Sequence, residues 1–277
     1  MREMQSLKET RRHPQFDNRT TSSNKSTASY RTYVGQTSKT VTAESTPYAA
    51  TRYNLINPDF SFVRKDYRVR VVHETNALHS KVDKLITSMY GARGLQVATA
   101  ASYPSAPGRV TLAASSGHRI FGTLTLGMDT GRGLLADELY APQINTLRRK
   151  GRQLCEVTRL AFEPDLSCQE VMATVFNVAF VLAREVHART DLIAEVHPRH
   201  APFYRRTLGY RVLGPVRACP RVQAPAVLLH LCLDFAKSQI SSLAGTAPVG
   251  RSLYRHFLPA SQQATLLKQL ISTQSNA

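Results

Sequence analysis

The stretch from residue 169 to about residue 187 carries apolar side chains around nearly its whole circumference. A helix with no polar face is stable only when other layers cover it, so this segment must sit at the centre of whatever the chain folds into. Ser167 and Glu170 stand at the S-x-x-E spacing of a capping box and mark its start. Strand-like runs lie on both sides, 154–162 before it, closed by Pro164, and 192–196 after it. Strand, buried helix, strand reads as a β-α-β crossover.

The residues upstream add layers to that unit. Tyr67-Arg68-Val69-Arg70-Val71-Val72 alternates apolar and charged positions as a half-buried strand does. Leu78, Val82, Leu85, Ile86 and Met89 then fall at helical spacing, with Lys81, Asp83 and Lys84 on the other side. Residues 109–115 and 120–126 are two β runs separated by Ser116-Gly117-His118, a hairpin. Residues 136–150 read as a helix whose basic end, Arg148, Arg149 and Lys150 with Arg152 beyond, is expected to be solvated. Downstream, a short helix at 201–208 stops at Gly209, residues 210–233 supply at least two more strands, and Leu266, Leu267, Leu270 and Ile271 pair at helical spacing. The order describes an α/β (α+β) sandwich with a mixed central sheet flanked by helices.

Residues 1–55 are rich in Ser, Thr, Asn, Gln and basic side chains and poor in large aliphatic ones, the composition of a flexible arm. The catalytic domain is then expected over 56–240, with a linker and helix over 241–277. No secretory signal and no apolar run of membrane-spanning length occurs, which points to the cytoplasm. Cys155, Cys168, Cys219 and Cys232 are scattered without ligand spacing, so they read as reduced, mostly buried thiols. The net charge of +17 creates a field that concentrates acidic partners. Nucleic acid, anionic lipid met at a peripheral membrane contact, and an acidic carrier protein all satisfy it; neither a recognition helix nor an aromatic-studded basic strand is apparent, and nucleic acid is not expected.

Two stretches carry a resemblance. Cys155-Glu156-Val157-Thr158-Arg159-Leu160-Ala161 and the run from Val196 through His197-Pro198-Arg199-His200-Ala201-Pro202-Phe203-Tyr204 to Tyr210 resemble the bacterial long-chain N-acyl amino acid synthases of the N-acyltyrosine synthase type. Gly122-Thr123-Leu124-Thr125-Leu126-Gly127, the run from Leu134 to Tyr140 and the run from Cys219 to Ala226 support it, over roughly residues 60–235. The resemblance implies a GNAT-type fold related to acyl-homoserine-lactone synthases. It implies an acyltransferase that joins a long-chain acyl group, carried on acyl carrier protein, to the amine of an amino acid such as tyrosine.

Glu156 and Arg159 match the E-x-x-R pair that lactone synthases carry on their fourth strand. Positions three apart on a regular strand face opposite ways, so these two share a cleft only if the strand is bulged. An ammonium must lose a proton before it can attack a thioester, and Glu156 can hold it and take that proton, directly or through water. Arg159 either fixes Glu156 or receives the substrate carboxylate, while the bland reading of the pair is an ordinary ion pair at a strand edge. Where GNAT strands part, main-chain groups of Leu160, Ala161 and Phe162 are expected to pair with the pantetheine arm and polarise the thioester carbonyl. Tyr204 stands near the tyrosine that protonates the leaving thiolate in many GNAT enzymes, one residue out of the common spacing to Gly209; packing with Phe203 explains it equally well. His197 is expected to line the cleft or cap the strand end. With His200 it lacks a third ligand, and no metal is assigned.

CoA-dependent relatives place a glycine-rich loop after the fourth strand to cradle the pyrophosphate. Here the segment from Glu163 to Glu170 has no glycine and three acids. That favours a donor without a diphosphate: no permanently bound cofactor, and the phosphopantetheine arm of an acidic carrier protein as donor. Arginines from Arg189 to Arg221, among them Arg199, Arg205, Arg206 and Arg217, are expected to form the face on which the carrier docks. The rival readings are a lactone synthase, a CoA-dependent N-acyltransferase and a basic nucleic-acid-binding protein.

Overall fold

A computed structural model describes residues 55–72, 77–95, 108–166, 168–247 and 249–271. Residues 1–54 of the amino-terminal arm expected from composition lie outside the described residues, as does Ser167 of the capping box.

The first two strands, β1 (Ser61–Arg64) and β2 (Tyr67–Val72), form a hairpin. Helix α1 (Ala77–Gly91) follows, then the hairpin β3 (Arg109–Ser116) and β4 (Arg119–Met128), closed by Gly117 and His118. Helix α2 (Asp137–Arg149) leads into β5 (Leu154–Phe162). The buried helix α3 (Gln169–Phe180) continues as a wider π-helical turn over Val181–Val186 and delivers the chain to β6 (Asp191–Val196). Helix α4 (Ala201–Leu208), β7 (Arg211–Val212), β8 (Arg217–Cys219), β9 (Ala224–Cys232), α5 (Leu233–Leu243) and α6 (Ala260–Leu270) complete it. Among the described residues the sheet runs β1-β2-β3-β4-β5-β6-β9-β7, with β8 on β9, and every pairing is antiparallel except β5 with β6. This is the mixed sheet expected from the sequence.

The apolar helix is where its composition requires. Val175, Val178, Leu182 and Ala183 are wholly buried and share one core with Val69, Leu112, Leu124, Cys155 and Leu229 of the sheet. Removing a side chain such as Leu182 from water contributes about 1.5–3 kcal/mol. The closing segment belongs to the same core, through Leu253, Tyr254, Leu266 and Leu270. On the opposite face α1 seals one end of the sheet with Val82, Leu85 and Ile86 over Val72, Ala113 and Ala161. Helix α2 seals the other with Tyr140 and Ile144 over Leu154, Ile193 and Leu228. Polar side chains of β5 and β6 therefore lie between two helix-covered ends.

Several local devices differ from expectation. The capping box does not close on Glu170: Cys168 is the N-cap residue of α3, and the Glu170 carboxylate instead receives Arg64 and Lys65. The basic end of α2 is not uniformly solvated. Arg148 binds Asp129 and Asp137 at 2.6–2.9 Å, and Arg152 reaches the buried Asp191, while Arg149 and Lys150 are exposed. Pro142 interrupts the backbone ladder of α2, and the break falls at Tyr140. Burial pushes that phenol up to about 12, so it stays protonated and donates to the carbonyls of Pro215 and Ala226. Gly209 ends α4 at φ +77°, and a Cβ there would lie 2.3 Å from the Phe235 ring, so glycine is required twice over. Of the thiols, Cys155 and Cys219 are buried, Cys232 is half-buried and Cys168 is exposed; all are free.

Asp191 ties the edge of the parallel pair together. Burial alone would raise its pKa, but hydrogen bonds with His230, Arg152 and Thr190 outweigh that and hold it at about 2. A carboxylate held below its ordinary value adds stability above that value, and the gain fades as pH falls toward about 2. Asp191→Asn should therefore lower the urea midpoint clearly at pH 7 and much less at pH 2.5; an equal loss at both values would rule out this ion cluster as the cause.

Candidate active site

The parallel pairing of β5 with β6 lasts four residues, from Leu154 with Asp191 to Val157 with Ala194. Beyond it β5 keeps its β4 partners, Ala161 with Thr123 and Phe162 with Gly122, while β6 follows β9 through Val196 with Val227. The two strands have parted. The cause lies in β5: opposite β4 the register slips between Thr123 and Thr125, leaving Arg159 and Leu160 against the single residue Leu124. Arg159 takes φ +52°, a left-handed conformation unusual for a residue with a Cβ. The bulge that an E-x-x-R cleft demands is present.

A cavity of about 320 Å³ occupies the gap. Its walls come from both faces of the sheet: Phe176, Tyr204 and Tyr210 on the α3 side, and Glu156, Glu195 and Arg221 on the side of α2. Glu156 and Arg159 both line it, but they do not pair. Arg159 instead binds Asp83 of α1, which also holds His79 at 3.1 Å. Of the two sequence readings of Arg159, fixing Glu156 is corrected: the guanidinium clamps α1 to the bulge, because Asp83 lies closer than any oxygen of Glu156. Its Nε is buried with no partner among the described residues, and Arg159 lines the cavity.

Glu156 is 2% exposed and its carboxylate is heavily engaged. Oε1 accepts from the backbone N–H of Leu135 at 2.9 Å and from Arg109 at 3.4 Å, and Oε2 from the N–H of Ala136 at 3.2 Å. These are orphan donors just before α2, so Glu156 acts as an anion at a helix N-terminus. Burial pushes its pKa up, and the Leu135 N–H, Arg109 and the Ala136 N–H pull back. Gly127 makes room for it, since a Cβ there would lie 3.2 Å from Glu156 Cγ.

Across the gap stands a carboxylate that the sequence reading passed over. Glu195 is the sole charge in the apolar run Leu192-Ile193-Ala194-Glu195-Val196, which was the available signal. Its Oε2 takes Arg221, whose other branch holds Glu138, while Oε1 is buried with no partner among the described residues. Burial raises its pKa to about 7; Arg221 opposes the shift, and Glu156 and Glu138 add to it.

The remaining candidates divide. Leu160 lines the cavity, but the side chains of Ala161 and Phe162 do not; Ala161 packs beneath α1 and Phe162 in the main core against Gly122. Their main-chain groups lie along the stretch with no β6 partner. His197 lines the cavity and its Nδ1 accepts the Arg199 N–H at 3.2 Å, capping the turn that starts α4. Tyr204 lines it too, with ring edges against Phe203 and Tyr210; burial holds its phenol well above the ordinary value, so it stays protonated and can donate a hydrogen bond. The arginine face is not uniform. Arg199, Arg205 and Arg206 are exposed on or beside α4, whereas Arg189 and Arg221 are engaged internally and Arg217 bonds the Leu139 carbonyl while lying over the Tyr140 ring. The acids after β5 are also partly neutralised, Glu163 by Arg119 and Glu170 by Arg64 and Lys65. Among the described residues no helix is long and apolar enough to cross a membrane.

A mixed sheet that splits beside the bulged strand β5, with a two-sided cavity in the split, defines a GNAT-type acyltransferase. The structure of FeeM, an N-acyl amino acid synthase from uncultured soil microbes, superposes with a TM-score of 0.56 at 25% identity, over 62% of this chain and 93% of that one. Aminoglycoside 6'-acetyltransferase type Ii (TM-score 0.41, 15% identity, 60% and 96% covered) and the AHL synthase LasI (0.40, 14%, 60% and 89%) superpose too loosely to bear on function. A search of curated protein sequences gives no significant match. The family model of the FeeM N-acyl amino acid synthases matches residues 81–232, and the chain belongs to that family.

Because Glu156 accepts two backbone N–H bonds, Glu156→Gln turns one acceptor into a donor facing an N–H. It should destabilise the protein by about 1–3 kcal/mol, the usual cost of a buried unsatisfied group. Chemical denaturation at pH 7 checks this; an unchanged midpoint would mean that Glu156 does not anchor α2.

Proposed function

We propose that the protein transfers a long-chain acyl group from the phosphopantetheine thioester of acyl carrier protein to the α-amine of an amino acid, with tyrosine the first acceptor to test. The observation that carries this reading is the open gap between β5 and β6, lined by carboxylates on one side and aromatic rings on the other. An arm that is extended and rich in amides finds unpaired strand groups there, in the manner of an added strand. The thioester carbonyl then lies beside main-chain donors able to stabilise its oxyanion. The amino acid enters with its ammonium toward the carboxylates and its own carboxylate toward Arg159, whose Nε has no other partner among the described residues.

The reaction needs two proton movements. One leaves the ammonium so that the nitrogen can attack, and a second leaves the tetrahedral adduct as the C–S bond breaks. Tyr204, protonated and on the cavity wall, is placed to donate a hydrogen bond to the departing thiolate while the adduct proton neutralises it. A carrier protein is acidic, and exposed Arg199, Arg205 and Arg206 beside the cavity offer it a positive face; Arg217 stands further along the same stretch of chain. The same charges suit a peripheral contact with anionic lipid, where a long-chain product would leave.

The purified protein, given acyl carrier thioester and a mixture of amino acids, should yield N-acyl amino acids detectable by mass spectrometry, and acyl-CoA should serve less well. Absence of any amide product, or preference for acyl-CoA, would count against the reading in its acceptor or donor half respectively. Arg205→Glu with Arg206→Glu should raise KM for the carrier-bound donor severalfold more than for a short pantetheine thioester. Equal changes with both donors would place docking elsewhere.

A further inference from the structure

We propose that Glu195, rather than Glu156, receives the substrate ammonium and takes its proton. This rests on the acyl-transfer reading above and assigns within it the step that frees the amine.

The two carboxylates face one cavity from the two strands that part. Glu156 is committed: each oxygen accepts an N–H from the chain entering α2, and Arg109 adds a third donor. Moving a proton onto it would break the support of a helix terminus. Glu195 has one oxygen on Arg221 and the other buried with no partner among the described residues, and its residue lines the cavity. A buried anionic oxygen without a donor is costly, and an ammonium is the donor that relieves it. The charges agree. Within this cluster the carboxylates of Glu138, Glu156 and Glu195 outnumber the guanidiniums of Arg109 and Arg221 by one, which suits a cation beside Glu195.

The groups around Glu195 also suit proton exchange. Arg221 and Cys219 face it from the segment that leads into β9, Glu138 and Tyr140 from α2, and Glu156 from β5. Burial and the two carboxylates hold its pKa near neutrality, about 7 in the free protein, so it can accept a proton and return it to solvent. The step balances. Glu195 takes one proton from R–NH3+, the neutral nitrogen forms the C–N bond, and the C–S electron pair leaves with sulfur. The adduct nitrogen then loses a second proton, which neutralises the thiolate, and Glu195 releases the first to water.

The test compares wild type with Glu195→Gln on two acceptors: the amino acid, charged at neutral pH, and hydroxylamine, whose nitrogen is unprotonated there. Wild type should acylate both above background, and its kcat/KM for the amino acid should fall below about pH 7 as Glu195 protonates. Glu195→Gln should lose about 10² or more on the amino acid, lose that acid limb, and keep hydroxylamine acylation within a few fold. Equal losses on both acceptors, or near-normal turnover of the amino acid, would overturn the assignment. Failure of wild type on both acceptors would instead remove the acyl-transfer reading itself. Folding is checked separately. A carboxyl whose folded pKa is raised stabilises the fold below its unfolded pKa and loses that contribution as pH rises through about 7. Glu195→Gln should thus melt higher than wild type at pH 8 and close to it at pH 5; a lower melting point at pH 8 would show that Glu195 serves the fold and not the substrate.

Discussion

The geometry of the site depends on one backbone event, the bulge at Arg159 and Leu160. A strand in register with both neighbours would spend all its N–H and C=O groups on the sheet. By inserting one extra residue against β4, the chain turns β5 away from β6 and leaves main-chain groups facing a cavity. A left-handed Arg159 costs conformational energy, of the order of 1–3 kcal/mol for residues held in sparsely populated regions. The clamp of its guanidinium on Asp83 helps to offset that cost, so the ion pair and the bulge support each other. Helix α1 is thereby tied to the point where the sheet opens.

The opening creates an electrostatic problem, since it exposes strand interiors that carry charge. The fold answers with partial compensation. Glu156 is neutralised locally by amides and Arg109, which uses its charge to start α2 and hold the connection before it. Arg221 is divided between Glu138 and Glu195, so α2, β6 and the segment before β9 meet at one guanidinium. Glu195 keeps one buried oxygen with no partner among the described residues, and its residue lines the cavity. Buried polar groups are mostly paired in folded proteins, and of the buried side-chain atoms left without a hydrogen-bond partner among the described residues, Glu195 Oε1 and Arg159 Nε belong to residues that line this cavity.

The layers of this fold were legible because periodicity reports burial. The all-round apolar helix, the alternating Tyr67–Val72 strand and the 109–128 hairpin appear where their patterns place them. The short edge strand β1 and helix α5 were not, since four residues of mixed character and a helix beginning directly at the end of a strand carry weak signals. In the site, E-x-x-R required a bulge before both residues could share a cleft, and that inference follows from strand geometry alone. Their partners did not: Asp83 and the amides of Leu135 and Ala136 are 76, 21 and 20 residues distant in sequence from the groups they bind. No spacing rule reaches that far. Glu195 was visible as the one charge in the apolar run 192–196, but only the pairing of β6 with β5 gives it a site to face.

These contacts divide the labour of the motif between structure and chemistry. A carboxylate that anchors a helix must stay ionised and still, whereas one that relays protons must change charge without moving its neighbours. Glu156 meets the first demand, with three donors fixing it, and Glu195 meets the second, with one arginine holding it and one oxygen without a partner among the described residues. One group serving both ends would loosen α2 each time it took up a proton. Placing the two carboxylates on strands that part keeps the helix anchor constant through the cycle, and lets the field of the first raise the proton affinity of the second.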